Sequence, residues 1–477
     1  MDNLIVFKDV KDYFDEVLDC KQFVIGERNL PDFPNKLRKF IFFALREGVA
    51  EALKKYKSLQ WYNRHIEKYA TFMLLRKGTS YFVSCSLQSQ IDQNNFILNS
   101  KFFKIIKKED FENIIKADEL KGYDFLKYFN QYEISNLDLK GLEESIEIPK
   151  NYSLIKEENS TNGLIIVGLG GYAFTHILPG LKHLPRLACV DYKAERSIEF
   201  SERFDFKHAL YHPYQTKGLL ESCKEPVVVI ATYHSDHSLL AKWVHSINPN
   251  TRIFIEKPPC VTNLDLNLLR ELYNSETKLE IGFNRRYVKL NNQIKSIVRN
   301  KQIFVTFSIK EVLINSNHWY NWDNQGTRLT GNLVHWIDLG NFWVDEDPIS
   351  LTMNFSGNSL DDFNLSIAYK NGSLVNITCS DKGNSLRGVQ ELAEIRYEND
   401  TILVEDNLKF THIKSSGKKT VKRYFRRDKG HKRMYLDFSK NLEDNKFNYT
   451  FKHLERTSMI TTTASNMLQN EIHVIKF

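Results

Sequence analysis

Four places in this 477-residue chain combine residue type and spacing in a way that could do chemistry. The first is Gly168-Leu169-Gly170-Gly171-Tyr172-Ala173, directly after the apolar run Leu164–Val167 and before helical spacing. In such a G-x-G-x-x-A turn the first glycine permits the tight bend and the second lets the backbone approach a pyrophosphate. Ala173 is small enough for close helix–strand packing. A pyrophosphate would rest on the helix N-terminus, where unpaired N–H groups favour negative charge. The second place is Asp191, 18 residues beyond Ala173 at the end of the apolar run 186–190. A carboxylate there accepts hydrogen bonds from the adenosine ribose hydroxyls and repels a 2′-phosphate. NAD is therefore expected and NADP less so, with Lys193 and Arg196 as nearby counterweights. The third is Lys257, which ends another buried run at the carboxyl edge of a sheet, where open α/β folds bind ligands. The fourth is His335, an imidazole in the apolar run LVHWIDL. A dinucleotide, a cation and a proton acceptor are what hydride transfer at a carbinol requires. Each also has a plain packing alternative: a solvated strand-end lysine, or a core histidine.

The elements that must position these residues are legible from periodicity. From about 160 to 290, short apolar runs alternate with helices, as in a parallel sheet covered on both faces. LIIVGLG, the run ending in VVVIATYH, RIFIEKPP and LEIGFNRRY read as its strands. Beyond residue 300, QIFVTFSIKEVLI, ISLTMNFSG, DFNLSIAYK, GSLVNITCS, ELAEIRYEN and TILVED read as successive strands of a largely antiparallel sheet. A helix around GNLVHWIDLGNFW interrupts them, and MYLDFSKNLEDN and ERTSMITTTASNMLQNEI read as helices. Before the polar connector at 148–162, LPDFPNKLRKFIFFALREGVAEALKKYKSL reads as one or two amphipathic helices. TFMLLRKGTSYFVSCSLQ reads as a hairpin turning at Lys77-Gly78-Thr79-Ser80, and DFENIIKADELKGYDFLKYFNQY as helical. No catalytic motif stands out in that first part.

The expected fold class is an α/β Rossmann domain plus an α+β domain with a large, mostly antiparallel sheet, preceded by a small extra α+β domain. The expected bounds are 1–155 for the N-terminal unit, 160–290 for the dinucleotide-binding domain, and 291–477 for a substrate-binding and oligomerisation domain. Composition agrees with a globular protein, at 42% hydrophobic and 26% charged. The start, MDNLIVFKDVKDYFDEV, has acidic residues where a secretory signal has basic ones, and no apolar run reaches the ~18–20 residues of a span. Six cysteines are scattered without a C-x-x-C pair, which argues for reduced thiols, a cytoplasmic location and no structural metal. The net charge is +7, concentrated in Lys414–Arg433. That stretch reads first as a solvated loop and helix start, without the motifs of a nucleic-acid site; attraction of an anionic small substrate is a further reading.

From Leu164 onward the sequence resembles the glucose–fructose oxidoreductase / inositol dehydrogenase / MocA (Gfo/Idh/MocA) family. Ile230-Ala231-Thr232-Tyr233-His234-Ser235-Asp236-His237 is similar to its strand-four loop, with Tyr233 in place of the usual proline. Glu256-Lys257-Pro258 matches its E-K-P signature, and Gly282-Phe283-Asn284-Arg285-Arg286-Tyr287 its G-F-N-R-R strand. HWYNWDNQGTRLTGNLVHWIDL resembles the C-terminal half of bi-domain oxidoreductases from polysaccharide gene clusters, as does Asp428-Lys429-Gly430-His431 followed by Phe438. The resemblance covers about 160–470 and does not reach the N-terminal unit.

The resemblance implies that Lys257 lies beside nicotinamide and substrate, and that His335 is the acid/base partner. It implies cofactor contacts from Gly168, Gly170, Gly171, Tyr172, Ala173, Asp191, Thr232, His237, Glu256, Lys257 and Asn284. Substrate contacts are implied from Lys257, Arg285, His318, Trp319, Asn332 and His335. Asp338 could orient the helix or the imidazole. One departure stands out: many family members have an aspartate four residues before the histidine, where this chain has Gly331, and the related branch has a glutamate next, where it has Asn332. The expected substrate is a sugar or nucleotide-sugar used for surface polysaccharide, and the expected assembly a homodimer or homotetramer through the C-terminal sheet. Alternatives are an enzyme that retains NAD for redox-assisted epimerisation or elimination, and a non-catalytic NAD- or sugar-binding protein.

Overall fold

The computed structural model describes residues 162–477 apart from 192–193, 211–212, 275–276, 313–325, 356–361, 384–387 and 445–450; before 162 it describes individual elements between 22 and 138. Of these early elements, side chains are described only within 40–58.

The early strands β1 (Gln22–Arg28), β2 (Tyr69–Arg76), β3 (Thr79–Ser86), β5 (Lys104–Lys107) and β6 (Phe129–Ile134) form one sheet in the order β5-β3-β2-β1-β6. Two further short strands, β4 (Asn95–Ile97) and β7 (Asn136–Asp138), pair parallel. The β2–β3 hairpin turns across Lys77–Gly78, with Arg76 opposite Thr79. Part of the run expected to be helical, Phe129–Tyr132, is instead strand and pairs antiparallel with β1. The rest of that run lies outside the described residues. Helices α1 (Lys36–Glu47) and α2 (Val49–Ile66) break at Gly48, whose φ of 96° suits glycine.

A six-stranded parallel sheet follows in the order β10-β9-β8-β11-β12-β13, from β8 (Leu164–Val167), β9 (Arg186–Val190), β10 (His208–Leu210), β11 (Val227–Ile230), β12 (Arg252–Ile255) and β13 (Lys278–Ile281). The order reverses at β8/β11, the switch point beside which such sheets bind ligands. Its central strands are Val- and Ile-rich and buried on both faces, as helices on either side demand. Those helices include α3 (Ala194–Phe204), α4 (Lys217–Ser222), α5 (His237–Ile247) and α6 (Asn263–Asn274).

After α7 (Lys289–Val298), a nine-stranded sheet is built from β14 (Phe304–Lys310), β15 (Pro348–Phe355), β16 (Phe363–Tyr369), β17 (Leu374–Ser380), β18 (Gln390–Tyr397), β19 (Asp400–Glu405), β20 (Lys409–Ile413), β21 (Lys419–Arg423) and β22 (Val474–Lys476). Its order is β21-β20-β19-β18-β14-β17-β16-β15-β22. Pairing is antiparallel throughout except between β14 and β17, so the sheet is mixed. β14 alternates exposed and buried residues along its length. Its buried face meets α8 (Val334–Val344) and α10 (Phe451–Gln469) around Trp336, Trp343, Phe307 and Ile460. Each such fully buried large side chain contributes roughly 1.5–3 kcal/mol relative to exposure. Helix α9 (His431–Asp444) instead packs on the parallel sheet through Met434, Tyr435 and Phe438.

The basic stretch Lys414–Arg433 divides. Its first half is exposed and includes the edge strand β21, whose basic side chains protect a sheet edge. Its second half stays exposed through Arg426 and then turns inward: Arg427 is 8% exposed and Lys429 is half-buried. No helix among the described residues is long and apolar enough to cross a membrane.

Candidate active site

The glycine turn sits where β8 meets the helix Ala173–Gly180, which starts as a π turn. Gly168 has φ 98°, and a Cβ there would lie 2.3 Å from the carbonyl oxygen of Ala231 on the neighbouring strand end. Only glycine fits. A Cβ on Gly170 would meet nothing within 4 Å, leaving open room above the backbone, as a pyrophosphate requires. At Gly171 the neighbour is Ser58 of α2, whose Oγ would be 2.3 Å from a Cβ. Asp191 accepts from the amide of Leu169 at 3.0 Å, which ties it to the turn, and pairs with Arg196 at 3.2 Å through the same Oδ2. The bend at Gly168, the open room at Gly170 and the carboxylate tied to the turn fit a dinucleotide.

Thr232 lies on the loop after β11, and His237 opens α5. Both ring nitrogens of His237 face backbone carbonyls, Pro258 at 2.7 Å and Thr232 at 3.2 Å, and burial pushes its pKa down to about 4. His237 therefore clamps the loop after β11 to the one after β12. Glu256 is buried under the site. Tyr435 donates to it, Tyr172 shares the network, and burial drives its carboxyl up to about 7.

Lys257 donates from Nζ to the carbonyl oxygen of Gly331 at 2.7 Å. Gly331 belongs to the π turn Leu329–Leu333 that leads into α8, and His335 follows on that helix. Such single π turns are frequent at functional sites. The Nδ1 of His335 is buried and has no hydrogen-bond partner among the described residues. Its ring stands edge-on to Trp336, 6.2 Å away between centroids. Burial, and then the charges of Lys257, Arg285 and Lys429, hold its pKa well below the ordinary value, so the imidazole is neutral. His318 and Trp319 lie outside the described residues.

Several further residues are engaged by the protein itself. Asp338 does not reach the imidazole; it holds Arg286 through two 2.7 Å bonds and accepts from Thr457 at 3.2 Å. Asn284 donates to the carbonyl of Lys429 at 2.7 Å, bringing the end of β13 against Gly430. Arg285 pairs with Glu391 at 2.5 Å and lies 4.2 Å over the Trp336 ring. Trp336, Arg427 and Asn407 also donate to Glu391. Burial alone would raise this carboxyl, but Arg285 and Arg427 outweigh it and hold it far below the usual range. Asn332 donates to Glu311, which Arg328 also pairs at 3.1 Å. A carboxylate thus stands close to the positions where Gly331 and Asn332 lack one, delivered from the end of β14.

Glu311, Glu391, Tyr435, His176 and Lys429 were not apparent from sequence as parts of this region. His176 and His431 stack at 4.2 Å beside Tyr172, and burial pushes His176 down to about 3. Only the motif Asp428-Lys429-Gly430-His431 could have pointed there. Gly430 has φ 81°, and a Cβ on it would lie 2.1 Å from the Asn284 carbonyl.

No family model matches the chain. The chain is 27% identical over 207 residues to the inositol 2-dehydrogenase of Salmonella typhimurium, across 40% of this chain and 56% of that protein. It is 26% identical over 141 residues to the Bacillus subtilis protein YteT, across 27% of this chain and 32% of that one. The matches thus span about a third to about half of these relatives' lengths. In structure it is similar to an oxidoreductase from Agrobacterium radiobacter solved with NAD+, L-tartaric acid and magnesium. The TM-score is 0.55 at 13% identity, covering 67% of this chain and 98% of that chain, which shows a shared fold. In its motifs, its sequence relatives and its paired parallel and mixed sheets, the chain resembles proteins of the Gfo/Idh/MocA type, and the likeness does not explain the N-terminal unit.

Proposed function

We propose that the chain is an NAD-dependent oxidoreductase acting on a hydroxyl or carbonyl of a sugar or nucleotide-sugar. The observation that carries this reading is the junction of Lys257 with the π turn of His335, at the carboxyl edge of the parallel sheet and beside the glycine turn. The sugar class rests on the inositol dehydrogenase relative, and NAD on the cofactor bound in the Agrobacterium structure and on Asp191. When bound, the dinucleotide would accept or give the hydride. Gly168–Tyr172 would hold its pyrophosphate, and Asp191 its adenosine ribose.

Lys257 presents an ammonium that stabilises an alkoxide forming on the substrate oxygen. The unpartnered Nδ1 of the neutral His335 ring then hydrogen-bonds that hydroxyl. The buried side chains of Glu391 and Glu311 fix Arg285, Trp336 and Asn332 around it. The bounds 1–155, 160–290 and 291–477 remain our proposal for its units. The exposed face of the nine-stranded sheet, polar at Thr306, Ser308, Asn364 and Thr378, is our proposed contact for a homodimer or homotetramer, which light scattering would check.

A second reading, in which NAD stays bound and is cycled, is favoured by one contact: Ser58 of α2 packs against Gly171 at one side of the turn. Native mass spectrometry of the purified chain, followed by 340 nm absorbance with a panel of sugars and nucleotide-sugars, tests both. Exchangeable NAD with net reduction supports the first, and retained NAD with product but no net reduction the second. No dinucleotide and no product would sink both.

A further inference from the structure

Helices α1 and α2 are built into the wall of this site. Arg46, in the last turn of α1, bonds to Asp406 at 2.5 Å and to the Val389 carbonyl at 2.9 Å. The amide of Arg427 donates to the Arg46 carbonyl at 3.3 Å, and a Cβ on Gly48 would touch the Arg426 side chain at 3.0 Å. The helices are thus keyed to the segment 426–429, and α2 reaches the glycine turn through Ser58.

That docking brings two ammonium groups to one carboxylate. Glu47 is 8% exposed; its Oε1 is 2.5 Å from Lys429 and its Oε2 3.9 Å from Lys55. Lys55 also lies 3.6 Å over the Phe43 ring. The group is continuous with the reacting residues, since Lys429 acts electrostatically on His335 and both lysines act on the stacked His176 and His431. Lys55 keeps 42% of its side chain in contact with solvent, so a solute can reach it. Burial, followed by the Lys429 charge, draws Lys55 down to about 7. Two ammonium groups thus share the one carboxylate of Glu47, which leaves an excess of positive charge at this point.

We propose that the N-terminal helical pair completes the substrate cleft, and that Lys55 with Lys429 receives an anionic group, a phosphate or carboxylate, carried by the substrate. This rests on the oxidoreductase reading for the word substrate, but the anion site itself does not. It narrows the sugars to phosphorylated, nucleotide-linked or uronic ones. It also gives the extra N-terminal unit a role in recognition. The cofactor's own pyrophosphate is the other source of the same chemistry, because Ser58, three residues beyond Lys55, reaches Gly171.

The test is calorimetric titration of the full chain with inorganic phosphate, with and without saturating NAD, for the parent, Lys55→Gln and Lys55→Arg. The expected result is saturable phosphate binding that persists with NAD, weakens at least ~10-fold in Lys55→Gln and returns in Lys55→Arg, while NAD affinity holds. Phosphate binding abolished by NAD, or NAD affinity falling with Lys55→Gln, would assign the lysines to the cofactor and overturn the proposal. Equal phosphate binding by parent and Lys55→Gln would overturn it too. These outcomes are read without turnover, so a failure of the oxidoreductase assignment is seen separately in the sugar panel.

Discussion

Lys257 Nζ donates to the Gly331 carbonyl across 2.7 Å, joining the loop after β12 to the turn that launches His335. The bond aims an ammonium beside an imidazole whose Nδ1 has no partner among the described residues. Lys257→Met keeps the length and removes the charge. It is expected to lower turnover on the active sugar by about 10²–10⁴-fold, the range typical of a lost acid–base or electrostatic group. NAD affinity should change far less. Steady-state kinetics with fluorescence titration of NAD checks this, and turnover within about tenfold of the parent would remove Lys257 from the mechanism.

Asp338 and Arg286 form a buried two-bond pair between α8 and the strand end that carries Asn284. Asp338→Asn strands a guanidinium and should cost about 3–5 kcal/mol in denaturant unfolding. A loss below about 1 kcal/mol would mean that Arg286 finds another partner. The predicted defect is one of stability, since Asp338 does not touch His335.

Glu256 has its carboxyl raised to about 7 by burial, with the Tyr435 bond and the Lys257 charge opposing. A carboxyl raised on folding contributes stability that is present below its unfolded value near 4.5 and is lost as pH climbs through about 7. The loss is at most about 3 kcal/mol. Thermal melts from pH 5 to pH 8 should therefore fall less steeply in Glu256→Gln than in the parent. Parallel curves would show that Glu256 is ionised throughout.

The parts of the fold that were legible are those set by local patterns. Gly168 needs its bend, and β8, β11 and β14 announce themselves by buried or alternating runs. Glu391 was not legible, because a glutamate in an alternating strand reads as a solvent-facing residue until Arg285, Trp336 and Arg427 converge on it from distant elements. Lys55 was hidden for a similar reason: on an amphipathic helix a lysine belongs to the wet face, and only docking onto 426–429 turns it inward. Asp191 illustrates the opposite case, while Lys193 lies outside the described residues. Asp191 could be placed by counting from Ala173, whereas its pairing with Arg196 depends on how α3 packs.

Asn332 supplies the sharpest test of how this site manages charge. Its amide donates to Glu311, whose carboxyl burial raises while Arg328 opposes. Asn332→Asp places a carboxylate against a second one, that of Glu311. Two carboxyls in that contact cannot both ionise cheaply, so one takes up a proton with a raised pKa. A carboxyl raised on folding favours the folded state at low pH and loses that contribution as pH rises. The variant should therefore be nearly as stable as the parent at pH 5, and weaker by about 1–3 kcal/mol at pH 8. It should gain no turnover, because the new group meets Glu311. Urea unfolding at the two pH values measures the first part, and the sugar assay the second. A deficit that does not grow with pH would show that Asn332 and Glu311 do not share a hydrogen bond in solution.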